Sequence, residues 1–261
     1  MADKLMCALT GKDKAEDAWA SLFKPDQRVG IKVNCLFPPV TTTPPMADYV
    51  AKCLVKIGVK PGNIIIWDRN DGDMKKAGYQ IVKEPNGVRV MGTTGHGDKV
   101  KAGPIETQLS KILLDDIDVL INMPVLKHHV LAGITASMKN HLGTVPNPGE
   151  FHKEICQYLA DLCMLEPIRT KTKLIFMDAT KAQYDKGPGH SPQCVWPYSG
   201  LLAATDMVAI DRVAAIEIKA KRNEAGLAGD IKPPAKHVDR AAELGLGVGD
   251  INKIDLVRLN M

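Results

Sequence analysis

Residues 118–152, DVLINMPVLKHHVLAGITASMKNHLGTVPNPGEFH, decide how this chain reads. The segment opens as a short apolar run with β-branched members, the signature of a buried strand over 119–123. Pro124 removes a ladder donor and ends that pairing. Beyond it come Lys127, His128 and His129, the small residues Gly133, Thr135 and Ser137, and then Lys139, Asn140, His141, Gly143 and His152. Four of the seven histidines fall between residues 127 and 152, and no carboxylate stands between Asp118 and Glu150. A solvated helix face would intersperse acids among its lysines. Each residue alone has a plainer reading: Lys127 as a surface lysine, Lys139 and His141 as cations at a helix C-terminus. The density of the set argues for a site, placed just past a strand end, where open α/β sheets hold their ligands.

Working outward, strands and helices alternate. Strands are predicted at 27–34 (QRVGIKVN), 63–68 (NIIIWD), 87–91, 119–123, 173–178 and 254–259, and helices at 13–23, 46–57, 106–115, 154–165, 205–221 and 237–244. That order predicts an α/β fold: a mainly parallel sheet with helices on both faces, a Rossmann-like layered architecture. One domain is expected over 1–261, with its core at about 29–211 and a helix-loop-strand extension at 212–261. Four strands end in Asn34, Asp68, Asn122 or Asp178, so parallel strands would bring these polar residues to one sheet edge. The stiff loop CLFPPVTTTPP with Thr43, the GTTGHGD loop around His96, the Lys-His stretch and the KGPGHS turn with His190 would converge there. Asp206 and Asp211 lie at the start of the long helix, where acids suit capping.

Composition excludes several classes. With 45% hydrophobic and 25% charged residues, the chain has the make-up of a soluble globular protein. Net charge is +4 and aromatics are 5%, too mild and too few for a nucleic-acid groove, so no nucleic acid is expected as a partner. No apolar run approaches a membrane span. The six cysteines contain no C-x-x-C pair, so neither an iron–sulfur cluster nor a zinc ribbon is expected. No leader is visible; the chain as written reads as cytoplasmic, or periplasmic if Met1 replaces a removed export signal.

The pattern IKVN…TTTPP, IIIWD, DVLINMPVLKHH and ITASMKNHLG with a following histidine resembles the family called domain of unknown function 362, over about residues 29–211. Lys127, His129, Lys139, Asn140 and Gly143 carry that resemblance. Some members of the family bear a ferredoxin-like segment or a twin-arginine signal, and neither is found here. A fainter similarity is to the nickel-pincer lactate racemases. It implies a shared fold, with Lys139 at the position of the cofactor-bearing lysine and His152 at that of a metal-binding histidine. The arginine of that family's threonine loop and its serine-glycine-glycine run are missing.

Two classes of function follow. In the first, an enzyme acts on a small anionic molecule: Lys127, His129 and Lys139 are the catalytic candidates, and Asn34, Thr43, Asp68, Asn140 and Asp178 bind the ligand. In the second, a divalent metal ion sits at His129 and His152. A non-catalytic electron-transfer or accessory role is the alternative to both.

Overall fold

A computed structural model describes residues 1–227 and 229–259. Its main sheet runs through β1 (Val29–Val33), β2 (Ile64–Asp68), β3 (Arg89–Gly92), β6 (Val119–Met123), β7 (Val125–His129), β8 (Gly133–Thr135), β9 (Thr172–Gln183), β10 (Val195–Trp196) and β11 (Gly200–Ala204). A separate two-stranded ribbon consists of β4 (His96–Ala102) and β5 (Ile105–Ser110). Strands β3, β2, β1, β6 and β9 lie side by side and parallel, and the four central strands are those the sequence predicts.

Alternation of side chains explains the layers. In β1, Val29, Ile31 and Val33 face one side, where they join Ile64, Ile66, Val119, Ile121, Leu174 and Phe176. Helices Ala15–Leu22 and Pro44–Lys56 cover this face. The opposite face carries Ile65, Trp67, Leu120, Ile175 and Met177 under the later helices, including Met207–Glu224. The period of two in strands puts Lys32 and Asn122, partners in register, on that second face.

Strands β6 and β7 form one line broken at Pro124, and both lie parallel to β9, with Asp178 N–H donating to the Pro124 carbonyl. Beyond Asn34 the chain leaves the sheet, and β8 pairs with β7 instead. Strands β7 and β8 therefore rise past the ends of β1 and β2, and a recess forms in the step.

Several predicted elements differ. Residues 106–115 are not a helix: Ile105, Thr107 and Leu109 alternate inward, a strand pattern, and only the turn Ile112–Asp116 is helical. His96 lies in β4, paired with Ser110, and not in an open loop. Glu154, Ile155 and Cys156 have φ of 47°, 57° and 60°, which breaks the predicted helix; helical structure resumes at Leu159–Met164. Strand β9 does not end at Asp178 but runs to Gln183, because β7 and β10 continue to pair with it. Residues 254–259 are not a strand: they find no ladder partner, and Arg258 instead pairs with Glu217. Among the described residues no helix is long and apolar enough to cross a membrane.

Candidate functional site

The recess is a cavity of about 330 Å³ lined by Asn34, Asp68, Lys127, His129, Lys139, Asn140 and His152, among others. Its floor rests on a buried ion pair. Lys32 Nζ, on the polar side of β1, lies 2.6 Å from Asp68 Oδ1 and donates to the Val33 carbonyl at 2.8 Å. The other Asp68 oxygen accepts from Cys35 N–H at 2.7 Å. This carboxylate at the end of β2 is thus engaged by the end of the neighbouring β1. Gly143 lies against the pair: a Cβ there would come 2.5 Å from Lys32 Nζ and 2.7 Å from Asp68 Oδ1. The glycine of the Lys-Asn…Gly pattern is required by that close approach.

Three asparagines link the sheet to the wall. Asn122 Nδ2 donates to the Ser137 carbonyl at 2.9 Å, Asn140 Nδ2 to Asn122 Oδ1 at 2.7 Å, and Asn34 Nδ2 to Asn140 Oδ1 at 3.1 Å. Asn34 Oδ1 is buried and has no donor among the described residues. Asp211, fully buried, accepts from Ser137 N–H at 2.6 Å and Met138 N–H at 3.0 Å. It caps the single helical turn Ser137–Asn140 that carries Lys139, not its own helix, which Asp206 caps.

Lys127 and Lys139 differ from Lys32 in their partners. Lys127 is 1% exposed; its Nζ donates to the Leu36 carbonyl at 2.9 Å and the Val40 carbonyl at 3.2 Å. Lys139 is 7% exposed, and its Nζ meets His152 Nε2 at 2.8 Å. Among the described residues neither contacts a carboxylate, whereas Lys32 does. Burial disfavours the charged forms. It pushes Lys127 down to about 7, helped by the nearby Lys139 charge, and Lys139 down to about 8. Burial, and after it the Lys139 charge, also lowers His152 to about 4 and His129 to about 2, so both imidazoles are neutral near pH 7.

His129 and His152 stack, with ring centroids 5.4 Å apart and planes 14° from parallel. His129 Nδ1 accepts from Leu131 N–H at 3.0 Å and Ala132 N–H at 3.2 Å, which places the proton of its neutral ring on Nε2.

Of the residues singled out from sequence, Asn34, Asp68, Lys127, His129, Lys139, Asn140 and His152 line one cavity. Thr43 and Asp178 are not in its lining: Thr43 donates to Asp178 through N–H at 3.0 Å and through Oγ1 at 2.8 Å. His128 and His141 are buried elsewhere, and His96 and His190 do not line the cavity. Lys32 and Asp211 escaped the sequence reading as site residues, and Asn122 was placed at the polar sheet edge without a role in the site. A lysine inside an otherwise apolar strand was the available signal for Lys32.

The family model described as domain of unknown function (DUF362) matches residues 29–216. No curated protein matches the chain. Among solved structures, the crystal structure of a Thermotoga maritima protein, a structural genomics target, aligns with a TM-score of 0.54 at 12% identity. The alignment covers 85% of this chain and 59% of that one, and at such identity the likeness is one of fold.

Proposed function

Because the chain belongs to the family described as domain of unknown function (DUF362), whose name carries no reaction, we propose its function from the site itself. The cavity binds a small anionic molecule. Lys127 and Lys139 are its cationic contacts, Asn34 and Asn140 its polar wall, and Lys139 exchanges a proton with the bound molecule, with His152 as the hydrogen-bond partner that orients its amine. The observation that supports this most directly is the pair of buried lysines lining one cavity without a carboxylate partner among the described residues. A buried ammonium without a counter-charge is unfavourable, and an entering anion supplies that charge. The anion in turn raises both lysine pKa values and so draws protons into the site.

Acid–base work favours groups poised near the working pH, and Lys139 at about 8 is so poised. His152 Nε2 accepts a hydrogen bond from its Nζ at 2.8 Å and stays neutral beside it, so it orients the amine while the proton passes between Lys139 and the bound molecule. Asp68 acts by holding Lys32, not by touching the ligand.

A divalent ion at His129 and His152 suits this arrangement less well. One nitrogen of His129 is occupied by backbone donors and the accepting nitrogen of His152 by Lys139. Among the described residues no group of three or more His, Cys, Asp or Glu side chains is arranged around a common point for a metal.

Calorimetric titration with inorganic phosphate and with acetate at pH 6.5 tests the reading. Binding by the wild-type protein, weakened at least tenfold in Lys127→Met and in Lys139→Met, is the expected result. A wild-type protein that binds neither anion would overturn the proposal. Binding without proton exchange on any ligand would leave a carrier or accessory role.

A further inference from the structure

Four large apolar side chains stand exposed around the same cavity. Leu36 and Phe37 are 40% and 42% exposed, Val130 and Leu131 51% and 48%, and all four line it. They come from two loops, one after β1 and one after β7. Single exposed apolar residues need no explanation, but a contiguous set at a cavity mouth does. Phe37 is also held at φ 63°, a left-handed conformation that a bulky residue rarely adopts.

Both rim loops are pinned by the site's own side chains. Lys127 Nζ holds the carbonyls of Leu36 and Val40, so the lysine of the floor fixes the loop that presents Leu36 and Phe37. His129 Nδ1 accepts from the N–H groups of Leu131 and Ala132, and so fixes the loop that presents Val130 and Leu131. Cationic floor and apolar rim are therefore one construction.

We infer that the ligand is amphiphilic: an anionic head bound by the lysines and an unbranched apolar tail lying on Leu36, Phe37, Val130 and Leu131. The inference rests on the anion-binding reading above and adds the tail. A small hydrophilic anion would leave this rim facing water, whereas a tail emerging from the cavity covers it.

The test is a homologous series of acetate, butyrate, hexanoate and octanoate, titrated calorimetrically at pH 6.5 with inorganic phosphate as a head-only control. Affinity should rise about fourfold per methylene once the chain reaches the rim. The double variant Phe37→Ser/Val130→Ser should flatten that slope while acetate affinity stays unchanged, and Lys139→Met should weaken every member of the series. Acetate binding with no dependence on chain length would overturn the tail and leave the anion site standing. A slope that survives in the Phe37→Ser/Val130→Ser variant would also overturn it, by placing the tail elsewhere. Failure of acetate, octanoate and phosphate alike to bind would overturn both readings.

Discussion

Replacing Lys139 by methionine should make the protein more stable at neutral pH, and the gain should fade as the pH rises. Lys139 is buried, and its pKa falls from 10.5 to about 8 in the fold. A group whose folded pKa is depressed favours the fold above its unfolded pKa and loses that contribution as the pH falls through the folded value. At pH 7 the protonated amine costs about 3 kcal/mol relative to an unburied lysine, and at pH 10 only about 1 kcal/mol. Methionine fills a similar volume and removes the charge. It also leaves His152 Nε2 without its donor, which costs about 1 kcal/mol. The net gain is about 2 kcal/mol at pH 7 and near zero at pH 10. His129 and His152 stay neutral throughout this window, and Lys127, relieved of the neighbouring Lys139 charge that helps to lower its pKa, adds to the gain at pH 7 and little at pH 10. Urea unfolding at pH 7, 8.5 and 10, with reductant and with the slope of the transition held constant, measures the difference. A variant less stable than wild type at pH 7, or a difference independent of pH, would refute the reasoning. A stabilised variant that no longer binds its anion would place Lys139 among residues kept for function at the expense of stability.

Gly143→Ala should drive Lys32 and Asp68 apart, because its Cβ falls 2.5 Å from Nζ. Disrupting a buried pair costs about 3–5 kcal/mol, so a melting temperature lowered by less than a few degrees would contradict the packing described. Cyanate at pH 8 should carbamylate Lys139 well ahead of Lys219, whose side chain is exposed and paired with Asp230; about half of Lys139 is neutral there against under one percent of an ordinary lysine. Peptide mass spectrometry reads the ratio, and equal labelling would remove the lowered pKa. Elemental analysis of tag-free protein should give the same metal content for wild type and for His129→Ala/His152→Ala. Stoichiometric metal lost in the variant would instead make those two histidines ligands.

The sheet was legible because its central strands are short apolar runs bounded by polar residues. Ile64–Asp68 and Val119–Met123 admit no other reading once helices separate them. Residues 105–110 misled because IETQLS carries mixed signals, and its alternation only becomes decisive beside β4. The cavity was legible as a cluster, since Lys127, His129, Lys139 and His152 are close in sequence. What sequence could not convey was pairing. Nothing in the chain told that Thr43 and Asp178 would satisfy each other, or that Lys32 would consume Asp68. Nor did it tell that Asp211, 74 residues from Ser137, would hold the turn bearing Lys139.

The chain of asparagine amides has a direction. The Ser137 carbonyl can only accept, so Asn122 must present its nitrogen there and its oxygen to Asn140. Asn140 must then turn its oxygen to Asn34, and Asn34 ends with its own oxygen unclaimed. The chemical sex of that last atom is inherited from a peptide group at the far end of the relay. Exchange of any one of the three asparagines for aspartate would set two acceptors against each other at one junction. The three positions should therefore behave as a single inheritable unit, in which a second substitution costs far less than the first.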